Sequence, residues 1–147
     1  MADTRCQTEC ERWIRETWLA KQFGQPFSEQ NVPLTSGGQF KFDAVSEDGK
    51  VVASISTSKA AMSSGKVGVG KLMKLRGDML FHVLAKAPRK LMIFTEECMY
   101  QSCMKERNRG RTPQDIEFML VLLPAGLATK LAASREISSR EVRPGRR

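Results

Sequence analysis

Histidine and aromatic side chains are scarce in this 147-residue sequence, which contains one histidine, one tyrosine and two tryptophans. Zinc sites usually combine short Cys and His spacings, and the only histidine is His82, within a predicted helix. The cysteines lie four and five residues apart in predicted helices: Cys6 with Cys10, and Cys98 with Cys103. We therefore predict mostly buried thiols rather than a metal cluster, and a packed or surface role for His82. The scarcity of aromatic residues also disfavours binding of single strands by base stacking.

Long apolar runs are missing as well. The longest, residues 91–94 and 118–123, are far below the roughly 20 residues that cross a bilayer. Residues 1–5 contain no apolar core of a signal peptide. We therefore predict a cytoplasmic protein that does not associate with a membrane.

The bulk composition predicts one domain followed by a basic tail. A hydrophobic content of 41% is enough for one ordinary core, which we place at 1–133. Residues 134–147 are predicted to form the basic tail, and they contribute to the net charge of +8. Such a tail either attracts phosphate backbones through counterion release or is a solvated chain end.

Apolar periodicity and breaker residues divide the chain into alternating helices and strands. The predicted order is a helix at 5–23 ended by Gly24, a short strand within 27–34, a hairpin at 38–59, a helix at 70–85, a strand at 90–95, a helix at 96–107, a strand at 116–123 and a helix at 125–133. Residues 60–67 are predicted to form an exposed loop. This order favours a single α/β domain with a mixed β-sheet and helices on both faces.

The hairpin gives the strongest local signal in the sequence. Asp48-Gly49 separates two apolar, β-branched runs, which predicts a two-residue type I′ turn with φ > 0 at both residues. Counting from this turn gives four strand pairs: Glu47 with Lys50, Val45 with Val52, Asp43 with Ser54, and Lys41 with Ser56. Because side chains two residues apart share one face of a strand, we expect the last two pairs to lie together.

This hairpin resembles that of the PD-(D/E)xK superfamily, the restriction-endonuclease-like nucleases. Its members carry an acidic residue on one strand, an acidic-x-Lys motif on the next and usually a glutamate on the preceding helix. Asp43 matches the first acidic position, and Glu11 or Glu16 matches the helical one. The second strand departs from the motif, since it reads Ser54-Ile55-Ser56. The resemblance covers about residues 5–124 and implies a restriction-endonuclease-like fold.

The resemblance also implies a site for Mg²⁺ or Mn²⁺. Such an ion needs oxygen ligands, which Asp43 and either Glu11 or Glu16 would supply. Lys41 lies two residues before Asp43 on the same predicted face and is a candidate replacement for the missing lysine, and Lys59 is an alternative. The candidate catalytic residues are Asp43, Glu11, Glu16 and Lys41, with Asp43 and Glu11 as the metal ligands.

Basic residues near helix ends are candidates for nucleic-acid binding. Residues 65–71 form a glycine-containing segment that lacks the Ser or Thr of a nucleotide-hydrolysing phosphate loop, because Leu72 stands at that position. Its backbone amides and lysines are instead predicted to hold a phosphate of bound nucleic acid. The candidate residues are Lys66, Lys71, Lys74, Arg107, Arg109 and Arg111.

These features support three interpretations of function. The first is a nuclease-like domain with an eroded or atypical metal site that binds DNA, RNA or a partner. The second is an active nuclease that depends on Mg²⁺ or Mn²⁺. The third is a protein-interaction domain without a nucleic-acid function, because a fold does not dictate an activity. Exposed sheet edges leave a homodimer open.

Overall fold

The computed structural model describes residues 5–59 and 69–141 of the protein. Residues 5–23 are helical throughout: α1 is Arg5–Trp13, a π-helical stretch covers Ile14–Leu19, and α2 is Ala20–Phe23. The later helices are α3 (Val69–Leu84), α4 (Glu97–Asn108) and α5 (Ala125–Glu141). The strands are β1 (Phe27–Pro33), β2 (Gln39–Ser46), β3 (Val51–Ser56), β4 (Arg89–Phe94) and β5 (Ile116–Leu120).

The predicted elements are confirmed in kind and order. Gly24 ends the first helical segment in the left-handed conformation, with φ 65°, which glycine adopts without a steric penalty. The last helix is longer than predicted, since α5 continues to Glu141 into the segment assigned to the tail. The loop predicted at 60–67 lies outside the described residues.

All five strands form one mixed sheet in the order β1-β2-β3-β4-β5. β2 is antiparallel to both of its neighbours, β1 and β3, whereas β3, β4 and β5 run parallel to one another. The connections explain this difference, because short reversals join the first three strands while α3 and α4 return the chain between the parallel ones. The predicted α/β class and mixed sheet are therefore confirmed.

Helices pack on both faces of this sheet. On one face, Ile14 of the first helical segment packs in a cluster with Leu91 and Ile93 of β4. On the opposite face, Met79 of α3 packs with Met92 of β4. Because successive β4 side chains alternate between the two faces, the strand is buried on both sides.

The hairpin turn differs from the prediction, although the register is right. Val45 pairs with Val52 as expected. Of the hairpin residues, only Gly49 has positive φ, at 74°, and its N–H donates to the Ser46 carbonyl at 2.9 Å. The turn therefore runs from Ser46 to Gly49, and the predicted type I′ turn is wrong. The Asp48 side chain stabilises this wider turn by accepting a hydrogen bond from the Ser46 hydroxyl at 2.7 Å.

A β-bulge interrupts β2 at Asp43. The pairs that bracket it are Ser28 with Val45 and Gln30 with Phe42. Two residues of β2, Asp43 and Ala44, therefore oppose a single residue of β1. The extra residue resets the alternation of side chains, since Phe42 packs in the same cluster as Val45 whereas Ala44 packs on the other face. The regular alternation that underlies the predicted grouping does not continue through Asp43.

Candidate active site

A cavity of about 200 Å³ lies at the carboxyl end of β3, between the first helical segment and α3. Residues 54–58 line it where the chain leaves the sheet, Glu11 lines it from α1, and Lys74 and Asp78 line it from α3. In open α/β sheets, ligands bind outside the carboxyl ends of parallel strands, where the chain turns away from the sheet. This cavity is therefore the candidate site.

Asp43 lies next to this cavity on the bulge of β2. Its Oδ2 accepts a hydrogen bond from the Ile55 N–H at 2.8 Å, and its main-chain carbonyl accepts one from Arg15 Nη1 at 3.1 Å. Burial raises the pKa of Asp43, while the Ile55 hydrogen bond and the charge of Lys74 lower it. The bulge thus anchors a partly desolvated carboxyl group between β3 and the first helical segment.

Glu11 approaches Asp43 from α1. Burial raises the pKa of Glu11 to about 7, and the negative charge of Asp43 adds to this rise. Two carboxylates within electrostatic reach of each other resist simultaneous ionisation. The second predicted glutamate, Glu16, is exposed on the π-helical stretch and lies 3.7 Å from Arg12. The structure therefore brings Glu11, and not Glu16, towards Asp43.

α3 adds two charged residues to the cavity that were not predicted as part of the candidate metal site. Lys74 Nζ lies 3.6 Å from Asp78 Oδ2, one helical turn away. Burial raises the pKa of Glu11, Asp43 and Asp78, and the charge of Lys74 opposes this rise in each of them. In the sequence, the four-residue spacing of Lys74 and Asp78 indicates an ion pair on one face of a helix. Ordinary surface ion pairs have the same spacing, so this signal does not by itself predict a functional site.

Of the other residues in the predicted strand cluster, Ser54 and Ser56 line the cavity, whereas Lys41 does not. Lys41 is 63% exposed, and its Nζ lies 3.4 Å from Glu29. Ser54 Oγ lies 2.9 Å from His82 Nε2 in the protein interior. Within the described hairpin, the paired positions of β2 and β3 end at Ala44, so the predicted pairs further along the strands are not formed. The reason is the bulge at Asp43. There the Asp43 carboxyl group accepts the Ile55 N–H, so a side-chain hydrogen bond takes the place of the next main-chain pair between β2 and β3.

His82 is a packed residue, which is one of the two roles predicted for it. The side chain is fully buried, and its ring lies edge-on to Phe42 with the ring centroids 5.0 Å apart. Burial lowers the pKa of His82 to about 4, so the ring is neutral at physiological pH. A neutral ring packs in the core without the cost of burying a charge.

Two of the predicted nucleic-acid-binding residues, Lys71 and Lys74, line the cavity. Lys71 Nζ also donates to the main-chain carbonyl of Lys59 at 2.9 Å. Both lysines are exposed, so their charges are accessible to a phosphate. Lys66, the third candidate of this group, lies outside the described residues.

The three predicted arginines have different surroundings. Arg107 lies in the last turn of α4, and Arg109 and Arg111 follow this helix. Arg107 donates hydrogen bonds to the carbonyls of Ile116 and Gln114, and it therefore ties α4 to the start of β5. Arg111 Nη1 lies 3.7 Å from a carboxylate oxygen of Glu106. Arg109 is exposed. None of the three lines the cavity, so the structure does not bring them together with Lys71 and Lys74 at this site.

The ligand set for a metal ion is small. Over the part of the chain that the structure describes, no group of three or more His, Cys, Asp or Glu side chains is placed to hold a metal ion. Three of the four cysteines are buried, as predicted for thiols that fill the core. A cation at this site would therefore combine the Glu11 and Asp43 carboxylates with water or substrate oxygens, which is a common arrangement for Mg²⁺.

The chain matches no protein-family model, no curated protein and no solved structure. Among the described helices, none combines the length and the apolar character that crossing a lipid bilayer requires.

Glu11→Gln is expected to change the pH dependence of stability of the metal-free protein. The pKa of Glu11 rises from 4.5 to about 7 on folding, so the folded state keeps a proton that the unfolded chain releases. The free energy of unfolding therefore falls as pH rises through this interval. Glutamine cannot ionise, so the variant should match wild type at about pH 4, below the ordinary pKa of 4.5, and be more stable by about 1–2 kcal/mol at about pH 8, after allowance for solvent screening.

Urea unfolding in EDTA at both pH values measures this difference. Glu16→Gln is the matched control, because Glu16 is exposed, and it should change stability by less than about 0.5 kcal/mol at either pH. An equal effect of Glu11→Gln at the two pH values would show that ionisation of Glu11 is not coupled to folding.

Proposed function

We propose that this protein is a nuclease-like domain that binds a divalent cation between Glu11 and Asp43 and hydrolyses phosphodiester bonds of nucleic acid. The observation that carries the proposal is that Glu11 lines the cavity, while the carboxyl group of Asp43 accepts a hydrogen bond from Ile55 of the cavity wall and lies within electrostatic reach of Glu11. The restriction-endonuclease-like fold that the sequence resembles is part of this proposal. The order of the elements and the position of Asp43 on β2 support it.

The oxygen ligands of the site fit Mg²⁺ or Mn²⁺. Both are hard cations that prefer carboxylate oxygens, and Mg²⁺ is commonly bound by one or two carboxylates together with water and substrate phosphates. Burial and the charge of Asp43 hold the pKa of Glu11 at about 7, and a cation between the two groups would favour the ionised form of both. When bound, the cation would polarise a phosphoryl oxygen and lower the pKa of a coordinated water.

The proposed reaction is hydrolysis of one ester bond. A water oxygen forms a bond to phosphorus, and the bond from phosphorus to the leaving sugar oxygen breaks. The water loses one proton to solvent, and the leaving oxygen takes up one. Lys71 and Lys74 line the cavity and would contact the phosphate oxygens, where their charges offset the negative charge of the strand.

Nucleic acid is the proposed substrate, and DNA and RNA are both compatible with the site. The chain carries a net charge of +8, and aromatic residues make up only 7% of it, so contacts to the phosphate backbone would dominate over base stacking. Affinity for a strand should therefore fall steeply as salt is raised.

A second candidate function is binding of nucleic acid without cleavage. Ser54 stands where the superfamily motif has its second carboxylate, and its hydroxyl is engaged by His82 in the interior. Two carboxylates hold a cation less firmly than three, since ligand charge tunes the affinity for such ions. Retention of a strand that depends on salt, together with no cleavage in Mn²⁺, would favour this second function.

Titration calorimetry with Mn²⁺ tests the proposed site. We expect the wild-type protein to bind Mn²⁺ and Glu11→Gln to bind it at least about 10-fold more weakly, because glutamine keeps the size of the side chain but not its charge. Glu16→Gln changes the same residue type on the exposed side of the helical segment and should bind like wild type. Equal affinity of Glu11→Gln and wild type, or no binding to either, would contradict the proposal.

A further inference from the structure

We propose that Lys74, presented by α3, supplies the positive charge that the second hairpin strand lacks, and that its ammonium group contacts the phosphate undergoing cleavage. This inference rests on the proposed function and adds one catalytic residue to the same site. In the sequence, Ser56 occupies the position of the motif lysine, and Lys41 is the predicted replacement. The structure offers a different lysine.

The position of Lys74 is the first support for this role. Its side chain lines the cavity together with Glu11 and Asp78, and 79% of its surface is exposed, so a phosphate can reach the ammonium group. Lys74 is therefore an accessible cation of the cavity, paired with one of its carboxylates.

The other lysines near the hairpin are less suitable. Lys41 does not line the cavity, and its Nζ lies 3.4 Å from Glu29 on the neighbouring strand. Lys71 lines the cavity, but its ammonium group donates to the Lys59 carbonyl at the side where the chain leaves β3. Lys74 is paired instead with a carboxylate of the cavity itself.

Asp78 is a positioning residue for Lys74. Its carboxylate is only 18% exposed and lies one turn along α3, at 3.6 Å from Lys74 Nζ. A long lysine side chain has many rotamers, and a partly buried partner restricts them. Asp78 would therefore act on the reaction through Lys74 and not through the phosphate.

The chemistry gives Lys74 a large effect. Cleavage of a phosphodiester builds negative charge on the phosphoryl and leaving oxygens, and a fixed positive group beside them stabilises that charge. Removal of one such group from an active site lowers turnover by about 10²–10³-fold.

Lys74→Ala is the test, with cleavage and Mn²⁺ affinity measured on the same samples of the full chain. We expect cleavage at saturating Mn²⁺ to fall at least about 100-fold. Mn²⁺ affinity should stay equal or increase, because a positive charge near the two carboxylates has been removed. Lys86→Ala removes the same charge from an exposed residue after the end of α3, outside the cavity, and should keep cleavage within about threefold of wild type.

Asp78→Asn, alone and combined with Lys74→Ala, separates positioning from a structural effect. We expect the single variant to lose roughly 10-fold in cleavage and the double variant to cleave no worse than Lys74→Ala, because two residues that act as a unit are not additive. Additive losses would assign Asp78 a separate structural role.

The failure of this inference is distinguishable from the failure of the proposed function. Lys74→Ala cleaving within about threefold of wild type would overturn the role of Lys74 and leave the metal site standing. Wild type that binds Mn²⁺ but cleaves no strand would leave the metal site standing and would overturn both the proposed hydrolysis and the role of Lys74. Absence of Mn²⁺ binding to wild type would instead overturn the proposed function and this inference with it.

Discussion

Replacement of Asp43 by alanine is expected to reduce Mn²⁺-dependent cleavage of a nucleic-acid strand by at least about 100-fold. Asp43 provides one of the two carboxylates proposed to hold the cation, and Glu11 alone would bind it weakly. Because the Ile55 N–H fixes the Asp43 carboxyl group at 2.8 Å, the loss removes a positioned ligand and not a mobile surface charge. Cleavage is measured on a labelled strand at saturating Mn²⁺.

Asp43→Asn separates this loss of charge from a loss of stability. Alanine leaves the Ile55 N–H without its side-chain acceptor, which costs about 1–3 kcal/mol, whereas asparagine keeps a carbonyl oxygen at the same place. We therefore expect asparagine to retain more of the free energy of unfolding than alanine while losing cleavage to the same extent. Unchanged cleavage in Asp43→Asn would show that the proposed metal site is wrong.

Truncation of Phe42 to alanine is expected to lower the free energy of unfolding by about 3–5 kcal/mol. The ring is fully buried and packs edge-on against Phe40 and His82, with centroid distances of 4.9 and 5.0 Å. Its removal leaves a cavity between β2 and α3 that the sheet cannot collapse to fill. Phe42 also precedes Asp43 on the bulge, so the same variant should loosen the site.

Urea unfolding of Phe42→Ala measures this effect, and Phe40→Ala is the matched control. Phe40 is only partly buried and stacks on Phe81 at a centroid distance of 4.1 Å. Truncating it removes less buried surface, so its cost should be smaller by at least about 1 kcal/mol. Equal losses in the two variants would show that the burial of Phe42 contributes no more to stability than the partial burial of Phe40.

Much of the fold could be predicted from the sequence because local residue patterns determine where helices and strands form. Apolar periodicity and the breakers Gly24 and Pro88 define where helices and strands occur, and the structure follows them closely. The hairpin register at Val45 and Val52 was also predictable, since it is set by the length of the loop between two apolar runs. The turn type was not, because the Asp48 side chain and Ser46 build a wider turn that the Asp-Gly pair alone does not reveal.

The candidate site was predictable only in part. The identity of Asp43 as its central carboxylate followed from the resemblance, and the structure places Asp43 beside a cavity with Glu11. The prediction of Lys41 as a site residue assumes that side chains alternate regularly between the two faces of β2, and the bulge interrupts this alternation. Nothing in the spacing of the residues distinguishes Glu11 from Glu16 as the partner of Asp43.

By itself, the sequence determined the order of the elements, the α/β class, the mixed sheet and the hairpin that carries Asp43. These are consequences of short-range periodicity and turn chemistry, which act between residues that are near in the chain. The tertiary structure alone decided that β2 bulges at Asp43, that Glu11 is the glutamate beside it and that Lys74 and Asp78 of α3 complete the charged site. These features depend on how separate elements pack and on which charged groups lie close together in a partly desolvated space. The spacing of residues along the chain does not determine these distances.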